Sequence, residues 1–141
     1  MKQTQVVIVG AGPIGLELAA NLKALGVAYE HGRGCEQSYD QAFAWYSKAA
    51  QQGNAEGQPN LGMAYQHGRG CEQSDDQAFA WYSKAAQQGN ADGQNMLGWA
   101  YEHGRGCEQS DDQAFVWYSK AAQQGNAIGQ NNLGLAYEYG R

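Results

Sequence analysis

The sequence predicts an all-α solenoid of about seven helices, and three observations predict it. The stretch from Leu61 to Met96 occurs almost verbatim in three copies, starting at Leu25, Leu61 and Leu97, with a partial fourth from Leu133 to Arg141. The period is 36 residues, within the range in which each unit packs only on its neighbours. Each copy carries two helical patterns bounded by start and stop signals, and nothing after residue 24 reads as a strand.

Residues 1–24 stand outside the repeat. A β-type run, Gln5 to Val9, precedes Gly10-Ala11-Gly12-Pro13-Ile14-Gly15 and an apolar helical segment. This arrangement resembles the first βα unit of flavin- and pyridine-nucleotide-dependent oxidoreductases. The resemblance implies a pyrophosphate approached by Gly10, Gly12 and Gly15, with Glu30 as the acidic residue further on. A dinucleotide site also needs a parallel sheet, which residues 25–141 do not offer. The segment runs into the repeat at Lys23-Ala24-Leu25-Gly26, so one helix is expected from about Ile14 to Glu30. In it Leu16, Leu18, Ala19, Leu22 and Leu25 form a stripe that caps the first repeat. The organisation is an extension over 1–13 and a solenoid over 14–141, with repeats at 25–60, 61–96, 97–132 and 133–141.

The second unit shows why each helix forms. Asn54 is placed to cap a helix A over Ala55 to His67, whose core stripe is Leu61, Ala64 and Tyr65. Gly62 lets another helix approach, and Gly68 is placed to end helix A in a left-handed conformation. Ser74-Asp75-Asp76-Gln77 reads as a capping box opening helix B, which runs to about Gln88. Ala78, Phe79, Tyr82, Ala85 and Ala86 form its packing face; Gly89 stops it and Asn90 caps the next helix A. Pro59 lies in the first turns of helix A, where it removes a hydrogen bond and predicts fraying over Ala55 to Asn60.

A helix A ending in LGxAYxxGxG, followed by D-x-x-A-x-x-WY-x-KAA-x-QG, resembles the Sel-one-like repeats, relatives of the tetratricopeptide repeats. The matching residues include Leu61, Gly62, Tyr65, Gly68, Gly70, Asp76, Trp81, Tyr82, Lys84 and Gly89, and they recur from Leu25 and Leu97. Cys71 departs from the pattern, in which Val is usual. The resemblance implies a right-handed superhelix of antiparallel helix pairs and an adaptor role in protein complexes.

Composition narrows the function. A net charge of −5 speaks against non-specific nucleic-acid or anionic-membrane binding, and no apolar run is long enough to span a bilayer. Cys35, Cys71 and Cys107 occur once per repeat. Repeats stacked at ~10 Å keep them beyond the ~7 Å Cα separation a disulfide tolerates. Three unbridged thiols fit a reducing compartment, so a cytoplasmic location is expected, over a secreted or periplasmic one. His31, His67 and His103 form a ladder too widely spaced to share a metal, and suit helix C-termini. Arg33, Arg69 and Arg105 are expected to pair with loop acids, and Trp45, Trp81 and Trp117 to pack between helices. Every polar residue recurs with the period, whereas an active site needs one asymmetric constellation; no enzyme, cofactor or metal is expected.

Positions that differ between copies lie mostly on helix A. Residues 56, 59, 63 and 66 are spaced three, four and three, which places them on one face. By analogy with the tetratricopeptide groove, this stripe is expected to bind a protein or peptide. Its members are Val27, Glu30, Glu56, Met63, Gln66, Asp92, Asn95, Trp99, Glu102, Ile128, Asn131 and Leu135. Positions 60, 96 and 132 (Asn, Met, Asn) and 39, 75 and 111 (Tyr, Asp, Asp) also vary. Two other readings are a nucleotide-binding fragment at Gly10–Gly15 and end-to-end stacking of chains through terminal helices.

Overall fold

A computed structural model describes residues 13–139; for residues 13–20 it describes the helical backbone alone. Seven helices follow one another: α1 (Pro13–His31), α2 (Tyr39–Gln51), α3 (Gly57–His67), α4 (Asp75–Gln87), α5 (Ala91–His103), α6 (Asp111–Gln123) and α7 (Ala127–Tyr139). Each packs mainly on the next, and α3 also touches α1 and α5, as a solenoid requires. None of these helices is long and apolar enough to cross a membrane.

The repeat's signals act as written, with two changes. Ser38, Ser74 and Ser110 Oγ each accept from the N–H three residues on, at 3.1 Å. The reciprocal arm of the capping box is absent: the serine N–H groups donate instead to Tyr29, Tyr65 and Tyr101 O at 2.9 Å. Each helix B is thereby pinned to the helix A before it. Helix α3 begins two residues later in its unit than α5 or α7 do. Pro59 has no N–H to close that first turn. Asn54 Oδ1 still accepts from Gly57 N–H, as Asn90 does from Gly93, so Gly57, Gln58 and Pro59 are buried rather than frayed.

The core is inter-repeat. Leu61 of α3 packs with Ala42, Tyr46 and Ala50 of α2; Leu97 of α5 packs with Ala78, Tyr82 and Ala86 of α4. Each tyrosine also covers a glycine on its own helix A: Tyr46 on Gly26, Tyr82 on Gly62, Tyr118 on Gly98. Phe43–Tyr65, Phe79–Tyr101 and Phe115–Tyr137 meet edge to face at 5.4, 5.4 and 5.5 Å, one pair per junction. Trp81 and Trp117 pack against the first and second of these clusters. Lys48, Lys84 and Lys120 lie over Trp45, Trp81 and Trp117.

At the N-terminal end α1 is one uninterrupted helix, and Leu22 is buried. Leu25 is 42% exposed where Leu61 and Leu97 are 2%, because no helix B precedes it among the described residues. Leu16, Leu18 and Ala19 side chains, the run Gln5–Val9, Gly10 and Gly12 lie outside the described residues; Gly15 is part of α1. The described residues contain no strand. They therefore offer no parallel sheet against which a dinucleotide-binding strand could pair, and that alternative loses its structural basis.

The Gly–Tyr contact makes a signed prediction. A Cβ on Gly62 would stand 2.6 Å from Tyr82 Cε1, whereas one on Gly134, the same repeat position, would meet nothing within 4 Å. Gly62→Ala should destabilise by ~1–3 kcal/mol through overpacking. Gly134→Ala should stabilise α7 by up to ~1 kcal/mol through backbone entropy. Paired denaturant titrations of the two variants check the opposite signs.

Candidate interaction groove

Helix A presents a row at positions 56, 60, 63 and 67, repeated at 92, 96, 99 and 103 and at 128, 132, 135 and 139; the outer members of each set are exposed, and the inner ones other than Met63 are half-buried. The spacing is four, three and four. The expected stripe differs from this row at two positions, 59 and 66. Pro59 and Asn95 are buried, and Asn95 Oδ1 accepts from Asn132 Nδ2 on the next helix A. Pro59 and Asn95 face the stack, and position 60 is half-buried in all three units. Asn131 is exposed, Ile128 is 60% exposed, and Leu135 is half-buried. Glu56 and Asp92 are exposed, Asp92 accepting from Asn126 Nδ2. Val27 packs against the first core cluster.

Position 66 and its equivalents face helix B. Glu30 accepts from Tyr46 Oη, Gln66 Oε1 from Tyr82 Oη at 2.5 Å, and Glu102 from Tyr118 Oη at 2.6 Å. Burial, reinforced by Glu30, pushes the Tyr46 phenol above its ordinary range; burial does the same to Tyr82. Both are neutral donors that hold the groove floor in place.

The first junction opens into a cleft of about 350 Å³, within the size range of ligand pockets, ~300–1,000 Å³. Ala42, Phe43, Tyr46, Met63 and Ala64 supply its apolar wall, and Glu30, His31, Tyr39, Asn60 and Arg69 its polar edge. Arg69 Nη1 is 3.4 Å from Glu30 Oε2, and the Arg69 guanidinium lies over the Tyr39 ring at 5.4 Å. At the third junction the same positions, Glu102, Ala114, Phe115, Tyr118, Asn132 and Ala136, enclose only about 20 Å³.

At the second junction the charges are exchanged. Gln66 stands where Glu30 does, and Asp75 where Tyr39 does. Arg105 grips Asp75 in a two-pronged pair at 2.7 and 3.0 Å, and these bonds hold the Asp75 carboxyl below its usual range. Met96 replaces Asn60 and packs on the core cluster beside it. Trp99 stacks on His103 at 4.7 Å, with Arg105 on its ring at 5.6 Å. Arg69 and Arg105 thus find their acids in the preceding repeat, on helices rather than in the loops.

Asn60, Tyr39, His31 and Arg69 are groove residues that the stripe omitted. The drift at positions 39 and 60 was their signal; a four–three–four spacing would have selected 60 and 67 over 59 and 66.

The cysteines are free, and their thiols point to Ala28, Ala64 and Ala100 O at 3.6, 3.4 and 3.5 Å, closing the last turn of helix A. Burial pushes the Cys71 and Cys107 thiols up, which makes them poor nucleophiles. No cluster of metal-ligating side chains occurs among the described residues.

Filling the first cleft should stabilise the array. Asn60→Met reproduces the side chain of the second junction, and a gain of ~0.5–2 kcal/mol is expected from thermal unfolding.

The Sel1 repeat family model matches residues 17–54, 55–90, 91–126 and 127–141. The chain belongs to the Sel1 repeat family. Similar solved structures include a protective antigen of uropathogenic Escherichia coli strains displaying an SLR fold, 40% identical with a TM-score of 0.81, covering 88% of this chain and 27% of that one. A Sel1 repeat protein from Oxalobacter formigenes is 32% identical with a TM-score of 0.83, over 92% and 53% of the two chains. Helicobacter pylori cysteine rich protein B is 25% identical with a TM-score of 0.65, over 88% and 100%. The chain thus spans about a quarter of the length of the first Sel1 relative and about half of the second. A search of curated proteins found no match. The Sel1 match begins at residue 17, so α1 counts as a repeat helix for most of its length.

Proposed function

We propose that the chain is a non-catalytic scaffold that binds a protein or peptide along the exposed row of its A helices. Sel1 repeats are in general protein-interaction scaffolds, and the observation that carries the reading here is the cleft between the first two repeats. It is an apolar recess, edged by polar groups, on a surface where Met63 stands 37% exposed. An exposed apolar side chain beside a recess is what an interface anchor needs. Glu30, Glu56, Asp92 and Glu102 lie along or beside the row, and with a net charge of −5 they favour a basic partner. The three free thiols support a reducing, cytoplasmic setting.

The test is selection from a random peptide display library against the immobilised chain. Selected peptides should bind Met63→Asp at least tenfold more weakly, while its circular dichroism remains that of the parent. Peptides that bind both proteins equally would overturn the reading.

A further inference from the structure

A second recess lies apart from the groove, where the end of α2 and the start of α3 meet α4. It holds about 420 Å³, and its lining brings together Trp81, Lys84 and the carboxamides of Gln51, Gln58, Gln87 and Gln88. None of these residues belongs to the helix A row.

Lys84 is the one charged residue of the lining. Its ammonium stands over the Trp81 ring, 5.4 Å from the centroid, and no ion pair holds it among the described residues. Glu56, two residues before Gln58, does not line the recess. On a chain of net charge −5, this is a local seat for an anion. Trp81 is half-buried; it packs against the first core cluster and also lines the recess. An indole offers flat apolar surface together with an N–H donor.

The carboxamides are set from below. Gln58 is 2% exposed, its Nε2 donating to Ala50 O at 3.3 Å and its Oε1 accepting from Gln88 Nε2 at 2.9 Å. That bond orients Gln88, whose Oε1 accepts no hydrogen bond among the described residues. Gln51 and Gln87 are exposed beside it. A carboxamide donates and accepts side by side, which matches a hydroxyl, itself donor and acceptor. A sugar ring brings the whole complement: a flat C–H face for the indole, hydroxyls for the carboxamides and, when carboxylated, an anion for Lys84.

The same side chains recur one repeat on. Gln124 donates to Gln94 at 2.7 Å, and Lys120 lies 4.6 Å from the Trp117 centroid. A ligand built of repeating units meets the same contacts in each repeat.

We propose that this recess binds a carboxylated oligosaccharide, with a sugar face against Trp81, hydroxyls on Gln51, Gln87 and Gln88, and a carboxylate on Lys84. The site is separate from the helix A groove, so its failure leaves the scaffold reading untouched.

Hexagalacturonate, neutral cellohexaose and hexaglutamate, each titrated into the full chain and followed by tryptophan indole and glutamine side-chain N–H shifts, test this. Hexagalacturonate should move the Trp81 and Gln88 signals and leave the Met63 methyl in place. Lys84→Gln should weaken its binding about tenfold, the worth of one charge-assisted contact, and Lys84→Arg should retain it. Cellohexaose should bind the parent chain more weakly than hexagalacturonate by a similar factor. Equal affinity for cellohexaose, or hexagalacturonate binding unchanged in Lys84→Gln, would overturn the carboxylate contact. A Trp81 response to hexaglutamate equal to that for hexagalacturonate would assign the recess to acidic peptides and overturn the saccharide. No shift at Trp81 with hexagalacturonate would overturn the site itself.

Discussion

Tyr82→Ala should cost ~3–5 kcal/mol, the range for deleting a fully buried aromatic ring. Tyr82 is 1% exposed and holds two interfaces at once. One face of its ring lies on Gly62 within its own repeat, and the side chain belongs to the cluster that receives Leu97 from the next. Its hydroxyl donates to Gln66 at 2.5 Å, so Tyr82→Phe should lose only ~1 kcal/mol, the worth of one such bond. Because stability in a solenoid is a sum of units and junctions, the loss should be local. Hydrogen exchange of Tyr82→Ala should show α3, α4 and α5 opening before the rest, and a uniform loss of protection across all helices would contradict the assignment.

Gly106→Ala should be nearly as damaging, at ~3 kcal/mol, from two causes that add. Gly106 has φ of 77°, where a Cβ costs ~1–2 kcal/mol. That Cβ would also overlap the Asp75 backbone oxygen and stand 2.8 Å from Phe79 Cβ, so the loop would have to lift off the preceding helix B. Gly70 meets Tyr39 and Phe43 in the same way. Gly34 has the same left-handed backbone, φ 79°, with nothing within 4 Å of its Cβ position. Gly34→Ala should therefore lose only the conformational part, and the difference between the two variants in urea isolates the cost of the repeat contact. Equal losses at Gly34 and Gly106 would mean that the loop does not rest on its neighbour.

The repeat made the fold readable because its local signals agree with its period. Asn90, Ser74, Gly68 and Gly89 each mark a boundary that the helices observe. What could not be read was which partner each group would choose. The Ser74 N–H was assigned to a capping box and went instead to Tyr65 O, a bond that exists only once two helices have packed. Position 59 was placed outward on spacing alone. Three- and four-residue steps both keep residues on one side of a helix, and only the stack decides which of two adjacent rows is covered. Met63 was legible, as an apolar residue at a drifting position. Asn60 was not, because it lines the cleft only once α1, α2 and α3 have packed together. The dinucleotide reading failed for a different reason: a glycine pattern is local, whereas its function requires a sheet supplied from elsewhere in the chain.

The measurement that bears most directly on the scaffold reading is a chemical-shift map of the chain with a display-selected peptide bound. The account predicts changes gathered on Glu30, Asn60, Met63 and Arg69, around the first inter-repeat cleft. Changes gathered instead in the separate recess lined by Gln58, Trp81, Lys84 and Gln88 would contradict it.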